Sequence, residues 1–487
     1  MVSGLDKYSP RYQSGAALLA FALVMVVGAS TLLITKLNAA SGQATDLYAT
    51  ASSLARARDA LVGYAITYAE TRPGQPQGYL PCPDFDGDGV ASTCAATGES
   101  AIGRLPWRTL GLPPLRDGAG QCLWYAVSGN YKNNPKRTLT SNSDGQFVVE
   151  TATGSPIAGP TSPGRALAIV FASGELIGSQ TRGVSSPATL TECGSTNPAD
   201  GISLPANYLE TLNGVNNAQG TKVGAPVGTP GSNALPSATP SVFVASPQVR
   251  GASANVIFND VSLLITPQHF QRIYERMDEW VAERAQACLD DYAADVTNGG
   301  RYPWAAVLNG GSPPAYDDDP TERFGRIPDT LDDTAGTGML GAWKTDPDPA
   351  IPVADFVPFT GNPYPVCFDK DLGATGLDWY WWWWDEWREM VFFGVDDAYR
   401  PGSPGSGVPI LSLNAANAKV AMVVASRSLG VQTRANDVDK GNIGNYLEAD
   451  NVPGAGPGSI PAGDEAFVNG PLTPIFNDKA CQDGGCP

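Results

Sequence analysis

Ala168-Ile169-Val170-Phe171-Ala172-Ser173, which runs on to Gln180-Thr181-Arg182, returns as Ala421-Met422-Val423-Val424-Ala425-Ser426, which runs on to Gln432-Thr433-Arg434. Working outward, Gly103-Arg104-Leu105-Pro106 is matched by Gly325-Arg326-Ile327-Pro328. Leu123-Trp124-Tyr125-Ala126-Val127 is matched by Val391-Phe392-Phe393-Gly394-Val395. Further along, Asn207-Tyr208-Leu209-Glu210 pairs with Asn445-Tyr446-Leu447-Glu448, and Ile257-Phe258-Asn259-Asp260 with Ile475-Phe476-Asn477-Asp478. Arg56, Leu61 and Tyr64-Ala65 match Arg284, Leu289 and Tyr292-Ala293 at a constant offset. Landmarks that recur in one order are the signature of an internal duplication.

Each copy reads as a helix, a long irregular segment and several strands. Residues 44–70 carry Leu47, Ala51, Leu54, Ala55, Arg58, Leu61 and Val62 near a 3.6 spacing, and Pro73-Gly74 ends the pattern. A second helix starts at Thr266-Pro267, a cap followed by proline in the first turn, and Asn298-Gly299-Gly300 stops it. β-branched and aromatic content predicts strands at 121–128, 166–173, 256–265, 389–395 and 418–425. Residues 211–255, rich in Gly, Pro, Ser and Ala, read as a long loop.

The chain has 487 residues, enough for two or three sizeable cores. With 55 Gly and 41 Pro, loops take a large share. The balance of 31 basic to 49 acidic residues, net −18, repels phosphate backbones and argues against nucleic-acid partners. The eight cysteines are Cys82, Cys94, Cys122, Cys193, Cys288, Cys367, Cys481 and Cys486. An even number with no C-x-x-C spacing fits disulfides in an oxidising compartment. Nearest-neighbour closure within each copy predicts Cys82–Cys94, Cys122–Cys193, Cys288–Cys367 and Cys481–Cys486.

Near the start, Gln13-Ser14-Gly15 is followed by an uncharged apolar run from Ala16 to Ile34. As a helix it would span roughly 28 Å, the thickness of a bilayer core. A cleaved secretory signal has a shorter apolar core and a small-x-small site; a plain single-span anchor is the bland alternative. Together with the polar leader carrying Lys7 and Arg11, the stretch resembles the class III leader of type IV pilins and type II secretion pseudopilins. That resemblance implies prepilin-peptidase cleavage between Gly15 and Ala16, a retained N-terminal helix, other pilins or pseudopilins as partners, and an inner-membrane, single-pass placement with the C-terminal part in the periplasm or at an extracellular filament tip. The family's glutamate at the fifth mature position is replaced here by Ala20, which implies a minor, tip-like subunit. The expected fold is α+β: leader 1–15, a transmembrane and pilin-like helix over 16–70, a first pilin-like head over 71–265, and a second, with its own helix, over 266–487.

Candidate chemistry is sparse. Asp84-Phe85-Asp86-Gly87-Asp88-Gly89 matches the start of a calcium loop, with oxygen ligands at alternate positions and glycine at the sixth. Ala95 stands where a bidentate glutamate would close it, leaving Glu99 as the nearest substitute; an ordinary acidic turn is the alternative. Trp379, Trp381, Trp382 and Trp387 belong to an aromatic run that reads either as packing or as a ligand surface. The single histidine, His269, has no partner pattern for a triad, and no phosphate-binding loop is present. The reading is therefore of a non-enzymatic minor pilin-like or pseudopilin-like filament subunit. A tip adhesin gripping a glycan or surface through an aromatic face is the alternative.

Overall fold

The structure is a computed structural model and describes residues 43–72, 75–160, 164–222, 235, 240–306, 316, 318–320, 322–328, 384–452, 466–470, 473 and 476–482. Helix α1 occupies residues 43–67. It buries a single stripe, Leu54, Ala57, Leu61 and Ala65, the three-and-four spacing of one helix face. Its polar side is pinned at several points. Ser53 Oγ donates to Arg116 O at 2.6 Å, and Asn133 Nδ2 donates to the Tyr64 hydroxyl at 2.9 Å.

The stripe belongs to the core of the first four-stranded sheet. Its strands are β1 (Ala101–Arg104), β2 (Trp124–Val127), β3 (Ala168–Ala172) and β4 (Val261–Ile265), antiparallel and in chain order. Alternation sends Tyr125, Val127 and Val170 to the core shared with the helices, and Ile102, Trp124, Ile169 and Phe171 to the other face. That second face is covered by a small sheet of 147–150, 156–158 and 241–244, through Phe147, Val149 and Phe243. Both faces are thus buried, which explains the unbroken apolar composition of β3.

The second half repeats the plan. Strands β5 (Phe324–Arg326), β6 (Val391–Val395), β7 (Val420–Val424) and β8 (Lys479–Gln482) form an antiparallel sheet in chain order. Helix α2 (Gln271–Ala294) packs on β7 and β8. The register repeats as well: Arg104 faces Trp124 in the first sheet, and Arg326 faces Phe392 in the second. The glycine before each arginine is required by close approach. A Cβ at Gly103 would lie 2.8 Å from Asp84 O, and one at Gly325 would lie 2.1 Å from Ala306 O.

The two halves share one apolar core. The Tyr131 and Tyr274 hydroxyls meet at 2.9 Å, and Phe270 stands edge-on to Tyr131 with ring centroids 5.7 Å apart. Trp387 is fully buried and its Nε1 donates to Leu139 O at 3.1 Å. Arg427 pairs with Asp144 at 3.0 Å, and Ser428 N donates to Asn142 Oδ1 at 3.0 Å.

Several sequence expectations change. Among the described residues no helix is long and apolar enough to cross a membrane. These residues are mostly sheet with few helices, so the fold of a long N-terminal transmembrane helix bearing two heads is corrected. The physical reason is charge: α1 carries Asp46, Arg56, Arg58 and Asp59. The single-pass inner-membrane placement rested on that helix and is withdrawn with it. The apolar run 16–34, with Gly15 and Ala16, lies outside the described residues. Residues 211–255 are not simply a loop, since they include strands at 211–212, 215–216, 221–222, 241–244 and 249–250. The strand expected over 256–265 is broken at Asn259-Asp260 into Val256–Phe258 and Val261–Ile265.

Gly78 tests the shared core. Its φ is +100°, and a Cβ there would lie 2.9 Å from Leu139 Cδ2 and 3.3 Å from Met277 Sδ, one from each half. Gly78→Ala should cost at least about 1 kcal/mol and lower the melting temperature of both halves in one calorimetric transition. Two separable transitions would contradict a common core.

Candidate metal centre

Asp84 is fixed to the sheet edge before the loop begins. Its N–H donates to Arg104 O at 3.0 Å, and the Arg104 N–H donates back to Asp84 O at 2.7 Å. The acidic loop then folds around its own carboxylates. Asp84 Oδ1 accepts from Asp86 N at 3.1 Å and Gly87 N at 2.7 Å, and Oδ2 accepts from Gly89 N at 2.7 Å. Asp86 and Asp88 each accept from the N–H two residues on, at 3.3 and 2.6 Å. These turns are what Asp and Gly in alternation favour. They bring one oxygen of each of Asp84, Asp86 and Asp88 within 4.8 Å of one another.

The surroundings hold that shape. Cys82–Cys94 brackets the loop as a disulfide, and Lys132 Nζ donates to Cys94 O and Ala95 O, both at 2.8 Å. From the other side Cys193 N donates to Gly87 O at 2.9 Å, and Cys193 is bonded to Cys122. Cys288 and Cys481 are also disulfide-bonded; Cys367 and Cys486 lie outside the described residues.

Asp84 is fully buried, and burial, followed by the adjacent Asp86 carboxyl, pushes its pKa up to about 7 against the pull of the Gly89 and Gly87 N–H groups. The donor set is all oxygen, acidic and poor in positive charge, which fits a hard cation such as calcium. Glu99 is not one of the converging carboxylates; its Oε2 accepts from Ala96 N at 3.1 Å. The second half has no counterpart at the anchor. The bridge Asp84–Arg104 is matched there by Ala306–Arg326, so an alanine stands in place of the first ligand.

Of the aromatic run, Trp387 packs in the core between the halves, while Trp379, Trp381 and Trp382 lie outside the described residues. His269 is exposed and caps its own turn, its Nδ1 3.1 Å from Thr266 N.

The structure also gives a role to repeat landmarks that carried none in the sequence. Arg104, 3% exposed, stacks on Trp124 and Tyr208 at 4.0 and 4.1 Å and donates to Cys122 O and Ile202 O. Arg326 stacks on Phe392 and Tyr446 at 5.4 and 5.0 Å and donates to Glu389 O and Lys440 O. A second arginine in each half, Arg182 or Arg434, covers the same tyrosine and donates to the carbonyl of Asn207 or Asn445. The repeated Gln-Thr-Arg and Asn-Tyr-Leu-Glu runs were the available signal. Their meeting point depends on the fold.

The pH dependence of the loop follows from Asp84. Between its ordinary value of 3.8 and about 7 the folded carboxyl holds a proton that the unfolded chain has lost. Stability of the calcium-free protein should therefore fall as pH rises through that window. Calcium at about 100 times its dissociation constant should add about 2.7 kcal/mol, and one fixed calcium concentration should add more at the upper end of the window, where the ion displaces fewer protons. Asp86→Ala should abolish most of that gain and leave the chelated protein little changed. Thermal melts with calcium and with chelator across this pH range are the check; equal melting temperatures in both would leave an ordinary acidic turn.

Comparison with protein-family models, with curated proteins and with solved structures finds no match for this chain.

Proposed function

We propose that the chain is a minor, pilin-like or pseudopilin-like structural subunit of a type IV-family filament. The observation that carries this reading is the repeated unit: a helix against a four-stranded antiparallel sheet, present twice with the same strand order and the same arginine register. The leader-like Gln13-Ser14-Gly15 before an apolar run adds a sequence argument, and Ala20 favours a position at a filament end rather than a repeating one. Its partners on this reading are other pilins or pseudopilins and a prepilin peptidase. Calcium at Asp84, Asp86 and Asp88 would be a structural ion. It would stiffen the loop that bridges the edge of the first sheet to the disulfide at Cys193. No catalytic role is assigned to any residue.

Expression alongside an active prepilin peptidase and its assembly partners tests the reading. Mass spectrometry of the N-terminus should find the chain beginning at Ala16, and cross-linking should join it to other pilins. An intact Met1, or a start near Ser41, would remove the filament reading.

A further inference from the structure

Asp260 and Asp478 stand at equivalent places, each immediately before the last strand of its sheet, β4 or β8. They are 0% and 1% exposed. In both, Oδ2 is well supplied. Asp260 Oδ2 accepts from Glu210 N and Asn217 Nδ2, both at 3.0 Å. Asp478 Oδ2 accepts from Glu448 N at 2.8 Å and Asn451 Nδ2 at 3.1 Å. In both, Oδ1 is buried and meets no donor. What the side chain does meet is another acid: the carboxyl group of Glu210, or of Glu448, lies in hydrogen-bond contact with it.

The glutamates are equally alike. Glu210 accepts from Gln180 Nε2 at 2.7 Å and Asn259 N at 3.1 Å; Glu448 accepts from Gln432 Nε2 at 2.7 Å and Asn477 N at 3.1 Å. Ionised carboxylates only accept, so two of them in contact leave a lone pair facing a lone pair. The nearby arginines act on these acids through their charge, while the hydrogen bonds they make go to other groups. Arg182 faces the first pair and donates to Asn207 O, Gly174 O and Gln180 Oε1. Arg434 faces the second and donates to Asn445 O and Ser426 O. Asp117 and Tyr208 also face Arg182 in the first half, and Asp278 and Tyr446 face Arg434 in the second. They bring no competing positive charge. The same deficit, one missing donor between two acids, occurs independently in both halves.

We propose that each half is clasped by a single proton held between two carboxyl groups, Glu210 with Asp260 and Glu448 with Asp478, which ties the Asn-Tyr-Leu-Glu segment to the head of the last strand. The proton sits on the aspartic acid and is donated to the glutamate. Burial first, and the neighbouring glutamate next, hold Asp260 and Asp478 well above the ordinary carboxylate range. The folded chain therefore keeps two protons that the unfolded chain releases, and it loses this contribution as the pH rises through the raised values of these two acids. Deprotonation puts two negative charges in contact at the root of an edge strand, so β4 and β8 are the strands that should loosen first.

Infrared difference spectroscopy reads the proton directly on the intact protein. Spectra of the unsubstituted protein and the variants should be compared at one pH above the ordinary carboxylate range, so that the bands of Asp84 and Asp278, raised to about 7 and about 8, are common to all and cancel. The unsubstituted protein should still show the carbonyl stretch of protonated carboxyl groups, shifted by deuterium. Asp260→Asn and Asp478→Asn each keep an N–H donor toward the glutamate, and each should remove one carboxyl's share of the band. The double variant should flatten the fall of stability with rising pH. Absence of the band in the unsubstituted protein, or an undiminished band in the double variant, overturns the proposal. So does stability that depends on a chelator, which would put a metal ion between the acids.

Discussion

The structure depends on helix α2 burying two adjoining stripes of side chains and leaving one face, with Arg272, Arg276 and Glu283, to solvent. Ile273, Tyr274, Met277, Asp278, Val281, Ala282, Ala285, Cys288, Leu289 and Tyr292 are all buried, two adjoining stripes rather than one. One α-helical stripe is enough to cover a sheet. The second exists because α2 also closes the first half, through Phe270, Tyr274, Ile273 and Met277 against Tyr131, Leu139 and Gly78. Helix α1, with its single stripe, does only the first of these jobs. The duplication therefore did not produce two beads on a string. It produced a continuous core in which the second copy's helix serves both.

The contrast was partly legible in the chain. Helical spacing at 44–70 and at 266–295, and apolar runs at 121–128, 166–173, 389–395 and 418–425, fall on α1, α2, β2, β3, β6 and β7 because short-range periodicity and propensity govern those segments. What was hidden is what depends on contacts distant in sequence. Arg104 and Ile202 are brought together only by the folded sheet, as are Gln180 with Glu210 and Asn217 with Asp260. The repeat announced that these residues mattered twice, without saying to what. The break at Asn259-Asp260 was hidden for the same reason. A strand-like composition runs through it, and the ladder stops where the Asp260 carboxyl group accepts the Glu210 N–H. The membrane-spanning reading was drawn from an apolar run outside the described residues, and the charged helix that follows gives it no support.

The two copies have also diverged where function could be placed. Their structural polar groups, the stacked arginines and the glutamine–glutamate contacts, are nearly superimposable in kind and distance. Among the described residues the converging acidic group lies in the first copy, with Ala306 at the equivalent anchor of the second. Residues kept in both copies serve the fold each must make. A residue set present in one copy, held by a disulfide on either side, is free to serve something else.

The joint between the halves has a mechanical meaning. Strand β4 ends at Ile265, Thr266 caps the next turn, and Pro267 already belongs to the helical segment leading into α2. No slack chain lies between a strand hydrogen-bonded along its length to β3 and a helix buried along two stripes. The connection works as a welded bracket rather than a swivel. A pull along the chain from one half to the other passes through β4, a strand at the sheet's edge among the described residues, alongside the cross-half contacts of the shared core.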